Sequence, residues 1–183
     1  MLKLVKVSEK YLPAVVKVLG EYKKDPSPYM VADIKSLIEA VDQNKALEWI
    51  QKMQNEEKGI NLKPGYVSAT SYWLMEGEEY IGSFQLRHSL TENLLKIGGH
   101  IAYIIRPSKR RQGYASAGLR LCLQEAKKRG IDRALITCNT KNEASFAVIT
   151  KAMNKFGGEI LPDIKIDDGF EHRVWVNTTT KSS

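Results

Sequence analysis

The chain has 183 residues, 43% hydrophobic and 27% charged, with 28 Lys and Arg against 21 Asp and Glu. That length suits a single domain over residues 1–183 with a sizeable core, and the composition excludes a disordered or low-complexity chain. No apolar run reaches the ~20 residues of a bilayer span, and the start lacks the apolar stretch of a signal peptide. The expected location is therefore the cytoplasm, with no membrane partner.

A net charge of +7 favours anionic partners. The positive residues are scattered and accompany no nucleic-acid-binding motif, so no nucleic-acid partner is expected. A polyanionic cofactor would profit from the same charge, although a plain basic surface explains most of it. The two cysteines, Cys122 and Cys138, lack CxxC spacing and lie in apolar elements. Both read as small buried hydrophobes. Cys138 also sits near a strand end, where a nucleophile has room.

In chain order, residues 1–7 read as a strand. Ser8 caps a helix with Tyr11, Leu12, Val15, Val16, Val18 and Leu19 at helical spacing and Gly20 near its end. Asp25-Pro26-Ser27-Pro28 breaks the chain. Residues 31–54 repeat the helical pattern, and 55–65 form a loop. Strands follow at 70–75 and 80–88 around a hairpin turn at 76–79. Residues 89–96 connect to a strand at 99–105, apolar enough to be buried on both faces and ended by Pro107. A helix over 114–129 carries Ala115, Leu119, Cys122, Leu123 and Ala126 on one face. Lys127, Lys128 and Arg129 suit its C-terminus, and Gly130 stops it. A strand at 133–138, a helix at 142–155, two strands at 159–165 and 170–177 and a frayed tail at 181–183 complete the chain. The order predicts an α/β (α+β) domain: helices, an antiparallel meander, then a strand–helix–strand unit whose strands lie parallel.

The chemistry centres on Arg110-Arg111-Gln112-Gly113-Tyr114-Ala115, between a buried strand and a helix N-terminus. The first amides of a helix have no partner within it, and the dipole places partial positive charge there. Gly113 lets the backbone come close to a phosphate, and Ala115 and Ser116 keep the surface open. Gly113 and Gly118 have the glycine spacing of a P-loop, but Leu119 and Arg120 follow instead of Lys and Ser or Thr. The run from Gly113 to Gly118 also comes near a dinucleotide fingerprint. However, the next strand ends in Cys138-Asn139 rather than an acidic ribose ligand.

Arg110-x-x-Gly113-x-Ala115 resembles the Q/R-x-x-G-x-G/A fingerprint of the GNAT superfamily of N-acetyltransferases. Asn142-Glu143-Ala144-Ser145 resembles the Asn-x-x-Ser that opens the following helix in that family. The stretch Leu86-Arg87-His88, Gly98-Gly99-His100-Ile101, Arg106-Pro107 is similar to a group of bacterial predicted acetyltransferases. The resemblance implies the GNAT fold: a mixed, mostly antiparallel sheet of six to seven strands with splayed central parallel strands, flanked by about four helices. Residues 1–65 would supply the acceptor side and 66–180 the acetyl-CoA-binding core.

The resemblance also implies acetyl-CoA as cosubstrate, no metal, and direct attack on the thioester by an amine of a small molecule or peptide. Backbone amides of Arg111, Gln112, Gly113, Tyr114, Ala115 and Ser116 would hold the diphosphate, with Arg110 at the entrance. Tyr103, Ile104 and Ile105 would pair with the pantetheine arm, and an amide near Ile104 would polarise the carbonyl. Asn142 and Ser145 would meet the cosubstrate from the next helix. Family members are often dimers, so a homodimer is allowed. The family's usual tyrosine acid is missing from residues 145–155. That gap keeps open a second reading, a non-catalytic coenzyme A sensor or interaction module.

Acid–base candidates are His100 at the start of the cleft strand, Glu92 in the connection before it, and Tyr103 within it. Each has a plainer reading, respectively as a core or capping histidine, a surface carboxylate and a core aromatic. His88 ends a strand, and Tyr114 leaves the loop toward the surface or an adenine. Asp167, Asp168 and His172 read as a hairpin turn rather than a metal site.

Overall fold

Seven strands form two antiparallel sheets in the computed structural model, which describes residues 1–25, 27–167 and 169–179. Pro26, Asp168 and the tail at 181–183 lie outside the described residues. The first sheet orders β1 (Leu2–Lys6), β2 (Ala69–Glu76), β3 (Glu79–Arg87) and β4 (Ile101–Ile105) side by side. The second places β7 (Gly169–Asn177) between β5 (Arg133–Asn139) and β6 (Gly158–Ile166). The hairpin forms where the sequence predicts it, with Gly77 at φ 61 in the turn that joins Glu76 to its partner Glu79.

Strand alternation sorts two cores. Phe84 and Leu86 of β3 and Ile101, Tyr103 and Ile105 of β4 meet α6 (Tyr114–Lys128) and α7 (Glu143–Phe156) on one face. On the other face Trp73, Tyr80 and Ile104 meet the early helices α1 (Leu12–Val16), α2 (Leu19–Lys23), α3 (Ala32–Asp42) and α4 (Ala46–Glu57). There Trp49 of α4 stacks on Trp73, with ring centroids 6.4 Å apart. Four of these helices, α3, α4, α6 and α7, are long.

Three expectations need correction. The helix read over 31–54 is two helices, broken at Gln43-Asn44-Lys45. The run from Asp42 to Lys45 has no apolar side chain to bury, and Asn44 tolerates the left-handed φ of 57 that turns the chain. The break lets each piece aim its own stripe inward: Ile34 and Leu37 from α3, Trp49, Ile50 and Met53 from α4. Helix α4 also runs to Glu57, inside the stretch read as loop. The helix expected after Ser8 is a 3-10 turn at Glu9–Tyr11 followed by α1 and α2, with Pro13 seated in the first turn of α1. The connection at 89–96 holds a short helix, α5 (Glu92–Lys96), whose cap Thr91 accepts from the Leu94 amide at 3.2 Å.

The feature that positions the site is the seam between the sheets. Strand β4 pairs with β3 throughout, but no backbone ladder joins it to β5. The ties gather at the start of β4, where the His100 amide donates to the Leu135 carbonyl at 2.6 Å. The Leu135 amide answers by donating to His100 Nδ1 at 3.0 Å. Gly99 allows this approach: it sits at φ 57, and a Cβ there would lie 2.4 Å from the Leu135 carbonyl oxygen. Beyond this knot the edge of β4 that faces away from β3 is open.

Candidate functional site

A cleft of about 660 Å³ opens on that free edge. Tyr103, Ile104 and Ile105 form one wall, the loop from Lys109 through Ser116 the second, and Asn142 and Ser145 of α7 the third. Ser27 and Tyr29 close it from the segment before α3.

The loop presents its backbone. No acceptor among the described residues takes the N–H groups of Arg111, Gln112, Gly113, Tyr114, Ala115 or Ser116; the next amide, Ala117, donates to the Gly113 carbonyl at 3.1 Å. Arg111 at φ 60 and Gly113 at φ 84 curl the chain so that this run precedes and enters α6. Six consecutive unpartnered amides at a helix start form an anion cradle. A Cβ on Gly113 would have no atom within 4 Å, so the space above it is open. The cationic side chains divide their work. Arg111 makes no ion pair among the described residues and lines the cleft. Arg110 turns back instead: its guanidinium donates to Asp25 at 2.5 and 3.2 Å, and its Nε donates to the Ile105 carbonyl at 3.1 Å. Gln112 does not line the cleft with its side chain, which donates to the Ser108 carbonyl at 3.0 Å. Tyr114 lines the cleft and donates its hydroxyl to Glu76 at 2.5 Å.

The Arg110–Asp25 fork fastens the loop to the chain ahead of α3. Arg110's hydrogen bonds hold the Asp25 carboxyl below its ordinary range. A depressed folded-state value contributes stability above the unfolded pKa of ~3.9, and that stability is lost as pH falls through the lower folded value. Arg110→Ala is therefore expected to lower stability at pH 7 and to flatten the fall on acidification below about pH 4. Thermal unfolding across pH 2–7 checks this; an acid limb as steep as the wild type's would refute it.

Strand alternation decides which β4 amides face the cleft. Arg87 donates to the His100 carbonyl at 2.8 Å and Arg106 to the Ile81 carbonyl at 2.9 Å, at the two ends of one unshifted register. Hydrogen-bonded pairs alternate, so Ala102 and Ile104 also spend their backbone groups on β3, while those of Tyr103 and Ile105 point to the open edge. The polarising amide expected near Ile104 is thus available from its neighbours and not from Ile104 itself.

Tyr103 projects its ring onto Phe84, with centroids 5.4 Å apart, and its hydroxyl lies 3.0 Å from Ser145 Oγ. Burial pushes its pKa well up, so the phenol stays protonated at neutral pH. Ser145 is held by the helix cap, where Asn142 Oδ1 accepts from the Ser145 amide at 3.2 Å. The Asn142 side-chain NH₂ remains without a partner among the described residues. Cys138 adjoins Ser145, but burial pushes its thiol up to about 11, which keeps it neutral and argues against a nucleophile.

The other acid–base candidates stand elsewhere. His100 is buried, its Nδ1 lone pair occupied by Leu135, and burial with Arg87 nearby lowers its pKa to about 4. It fastens the seam and does not line the cleft. Glu92 is an exposed first-turn residue of α5, also outside the cleft. His88 bonds Thr70 at 2.9 Å at the far end of β3. Sequence reasoning missed Asp25, Tyr29 and Lys141, the last lining the cleft beside Asn142. Only the turn-rich composition around Asp25 hinted at a role. Among the described residues no group of three His, Cys, Asp or Glu side chains is placed to hold a metal ion, and no helix is long and apolar enough to cross a membrane.

A row of free amides, a free cation and an open strand edge fit a ligand with a diphosphate at one end and an amide-bearing arm at the other, as in coenzyme A. Comparison with known proteins agrees. A search of curated protein sequences returns no match. Among solved structures, the chain resembles RimL, a ribosomal L7/L12 alpha-N-protein acetyltransferase in complex with coenzyme A. The TM-score is 0.63 at 18% identity, over 99% of this chain and 96% of that one. An acetyltransferase from Salmonella typhimurium, described as modifying the N-terminal serine of L7/L12, gives 0.59 at 20% identity over 96% and 92%. A spermidine N-acetyltransferase chimera from Vibrio cholerae and hSSAT gives 0.58 at 10% identity over 97% and 95%. At such identities the likeness speaks for the fold. The family model "Acetyltransferase (GNAT) domain" matches residues 2–152. The chain belongs to the GNAT acetyltransferase family, whose acetyl donor is acetyl-coenzyme A.

Proposed function

We propose that the protein transfers an acetyl group from acetyl-CoA to a primary amine of a small molecule or peptide, by direct attack with both substrates bound. The observation that carries this is the joining of the amide cradle at 111–116 to the open edge of β4 in one cleft. The cradle holds the diphosphate, and Arg111 adds charge at its rim. The outward backbone groups of Tyr103 and Ile105 align the pantetheine arm as an added strand, and one of their amides polarises the thioester carbonyl. Acetyl-CoA supplies the acetyl group as an activated thioester.

The Tyr103–Ser145 pair fills the place left by the missing helix tyrosine. The protonated phenol donates to Ser145 Oγ, and the serine hydroxyl faces the cleft, where it protonates the departing thiolate. Tyr103→Phe and Ser145→Ala are expected to lower kcat about 10–100-fold and to leave coenzyme A affinity within about twofold. Steady-state kinetics with calorimetry checks this, and unchanged kcat in both variants removes the pair from the reaction.

The relatives above act on a ribosomal protein's amino terminus and on spermidine, so the acceptor panel should contain peptides with free N-termini, polyamines and amino acids. Incubation with acetyl-CoA should release free thiol with at least one of them. Coenzyme A binding without thiol release across the panel would favour the non-catalytic sensor.

A further inference from the structure

We propose that Asp33 is the proton-accepting end of a water relay on the acceptor side of β4, drawing the proton from the incoming ammonium. This rests on the acetyl-transfer reading.

Asp33 lies in the first turn of α3. A carboxylate placed there only for the helix dipole would face solvent. Asp33 instead points into the sheet, where Oδ2 accepts from Ser71 Oγ at 2.7 Å and Gln85 Nε2 donates to Oδ1 at 3.0 Å and Oδ2 at 3.1 Å. Both donors are neutral, and a carboxylate has about four acceptor sites, so capacity remains. Beside it is a void of about 30 Å³ bounded by Asp33, Ser83, Gln85, Arg87 and Ala102. That is room for one or two waters, with more than the two polar partners a buried water needs.

The void and the cosubstrate cleft share no lining residue, but they are neighbours along the chain at two places. Ala102 borders the void, and the next residue, Tyr103, borders the cosubstrate cleft. Val31 and Asp33 border it, and Tyr29, two residues before Val31, borders the same cleft. In the proposed relay, water seated there would bridge the carboxylate to the edge of β4 along which the thioester is aligned, on the face opposite Tyr103 and Ser145. Acid and base are thereby kept on opposite faces of β4.

The charged groups facing Asp33 are Arg87 of β3 and Lys52 of α4, which favour its ionised form, and Glu56 of α4, which lies close enough to be raised by it. Burial outweighs these and the hydrogen bonds, so the Asp33 pKa is raised. A raised carboxylate is the stronger base.

The ammonium gives one proton through water to the Asp33 carboxylate, which becomes the neutral acid. The free amine then forms the C–N bond as the C–S bond breaks. The nitrogen sheds a second proton, which ends on the thiolate sulfur. Asp33 returns its proton to solvent before the next turnover, so the net reaction releases one proton.

The test is the pH profile of kcat/KM with the fastest acceptor from a panel of spermidine, lysine and an N-terminal seryl peptide. In the wild type, kcat/KM should rise through an apparent pKa above the ordinary Asp value. Asp33→Asn should fall about 10–100-fold at pH 7, lose that limb and recover only toward the amine's own pKa, with coenzyme A binding unchanged in calorimetry. Ser71→Ala keeps the carboxylate but removes a bond that favours its charged form. It should keep the limb and move it to higher pH, which serves if Asp33→Asn does not fold. Turnover with the wild-type limb retained in Asp33→Asn, or unmoved in Ser71→Ala, overturns the relay alone. No thiol release with any acceptor overturns the acetyl-transfer reading and the relay together.

Discussion

Gly113→Asp is expected to weaken coenzyme A binding about 100-fold or more while leaving the chain folded. The two halves of that expectation have separate causes. The added side chain meets no atom of the protein within 4 Å, so nothing is displaced in the free protein. The cost to the fold is the left-handed backbone at φ 84, about 1 kcal/mol and eased by aspartate's tolerance of that region. Binding suffers more. On the proposed binding mode a carboxylate in the middle of six amides takes the place of a phosphate, and like charges about 5 Å apart at an effective dielectric near 20 repel by about 3 kcal/mol. Gly113→Ala isolates the backbone strain and should lose less than tenfold. Calorimetry with coenzyme A, paired with thermal unfolding, reads both halves. Equal affinity in wild type and Gly113→Asp would remove the loop from the binding site.

The second large effect is on stability. Gly99→Ala should destabilise the protein by about 3 kcal/mol or more and lower its unfolding midpoint by on the order of 10 °C. The new methyl would lie 2.4 Å from the Leu135 carbonyl oxygen, a backbone atom that cannot rotate away, and the residue would keep a left-handed φ of 57. Relief requires β4 to move off β5, which breaks the 2.6 Å bond from His100 to Leu135. Gly20→Ala is the contrast: Gly20 lies inside α2, and its Cβ would meet nothing within 4 Å. It should gain a few tenths to 1 kcal/mol from reduced chain entropy. Denaturant titration of both variants decides the matter. Similar stabilities would mean that the seam has room the geometry does not show.

The parts legible in the sequence are those written in local chemistry. The hairpin at 76–79 carries its own glycine, α6 carries a clean apolar stripe and a glycine at each end, and the amide cradle follows from Gly113 between strand and helix. The break at Asn44 is hidden because no Gly or Pro marks it, and the partner of the helix that follows, Trp73 stacked on Trp49, lies 24 residues away. The roles of individual side chains were least legible. Arg110 sits in a phosphate fingerprint yet spends its guanidinium on Asp25, 85 residues earlier. His100 looks like a base at the mouth of a cleft, yet its acceptor nitrogen is taken by Leu135. Asp33 carries no signal in the sequence, and only β2 and β3, by supplying Ser71 and Gln85, hold it inward. Each depends on a partner that only the tertiary fold brings near.

The seam between the sheets also bears on how the molecule holds together over time. With no ladder between β4 and β5, the two halves communicate through the His100–Leu135 knot and the core that α6 and α7 share with both sheets. The outward amides of Tyr103 and Ile105 should therefore exchange with solvent deuterium sooner than those of Ala102 and Ile104, which are locked to β3. A molecule lying along that edge binds the native state and not the unfolded chain. At a hundredfold excess over its Kd it adds about 2.7 kcal/mol to global stability, and the exchange of those amides slows accordingly. The free protein is in this sense a sheet one strand short, and on the proposed binding mode its donor substrate is the strand that completes it.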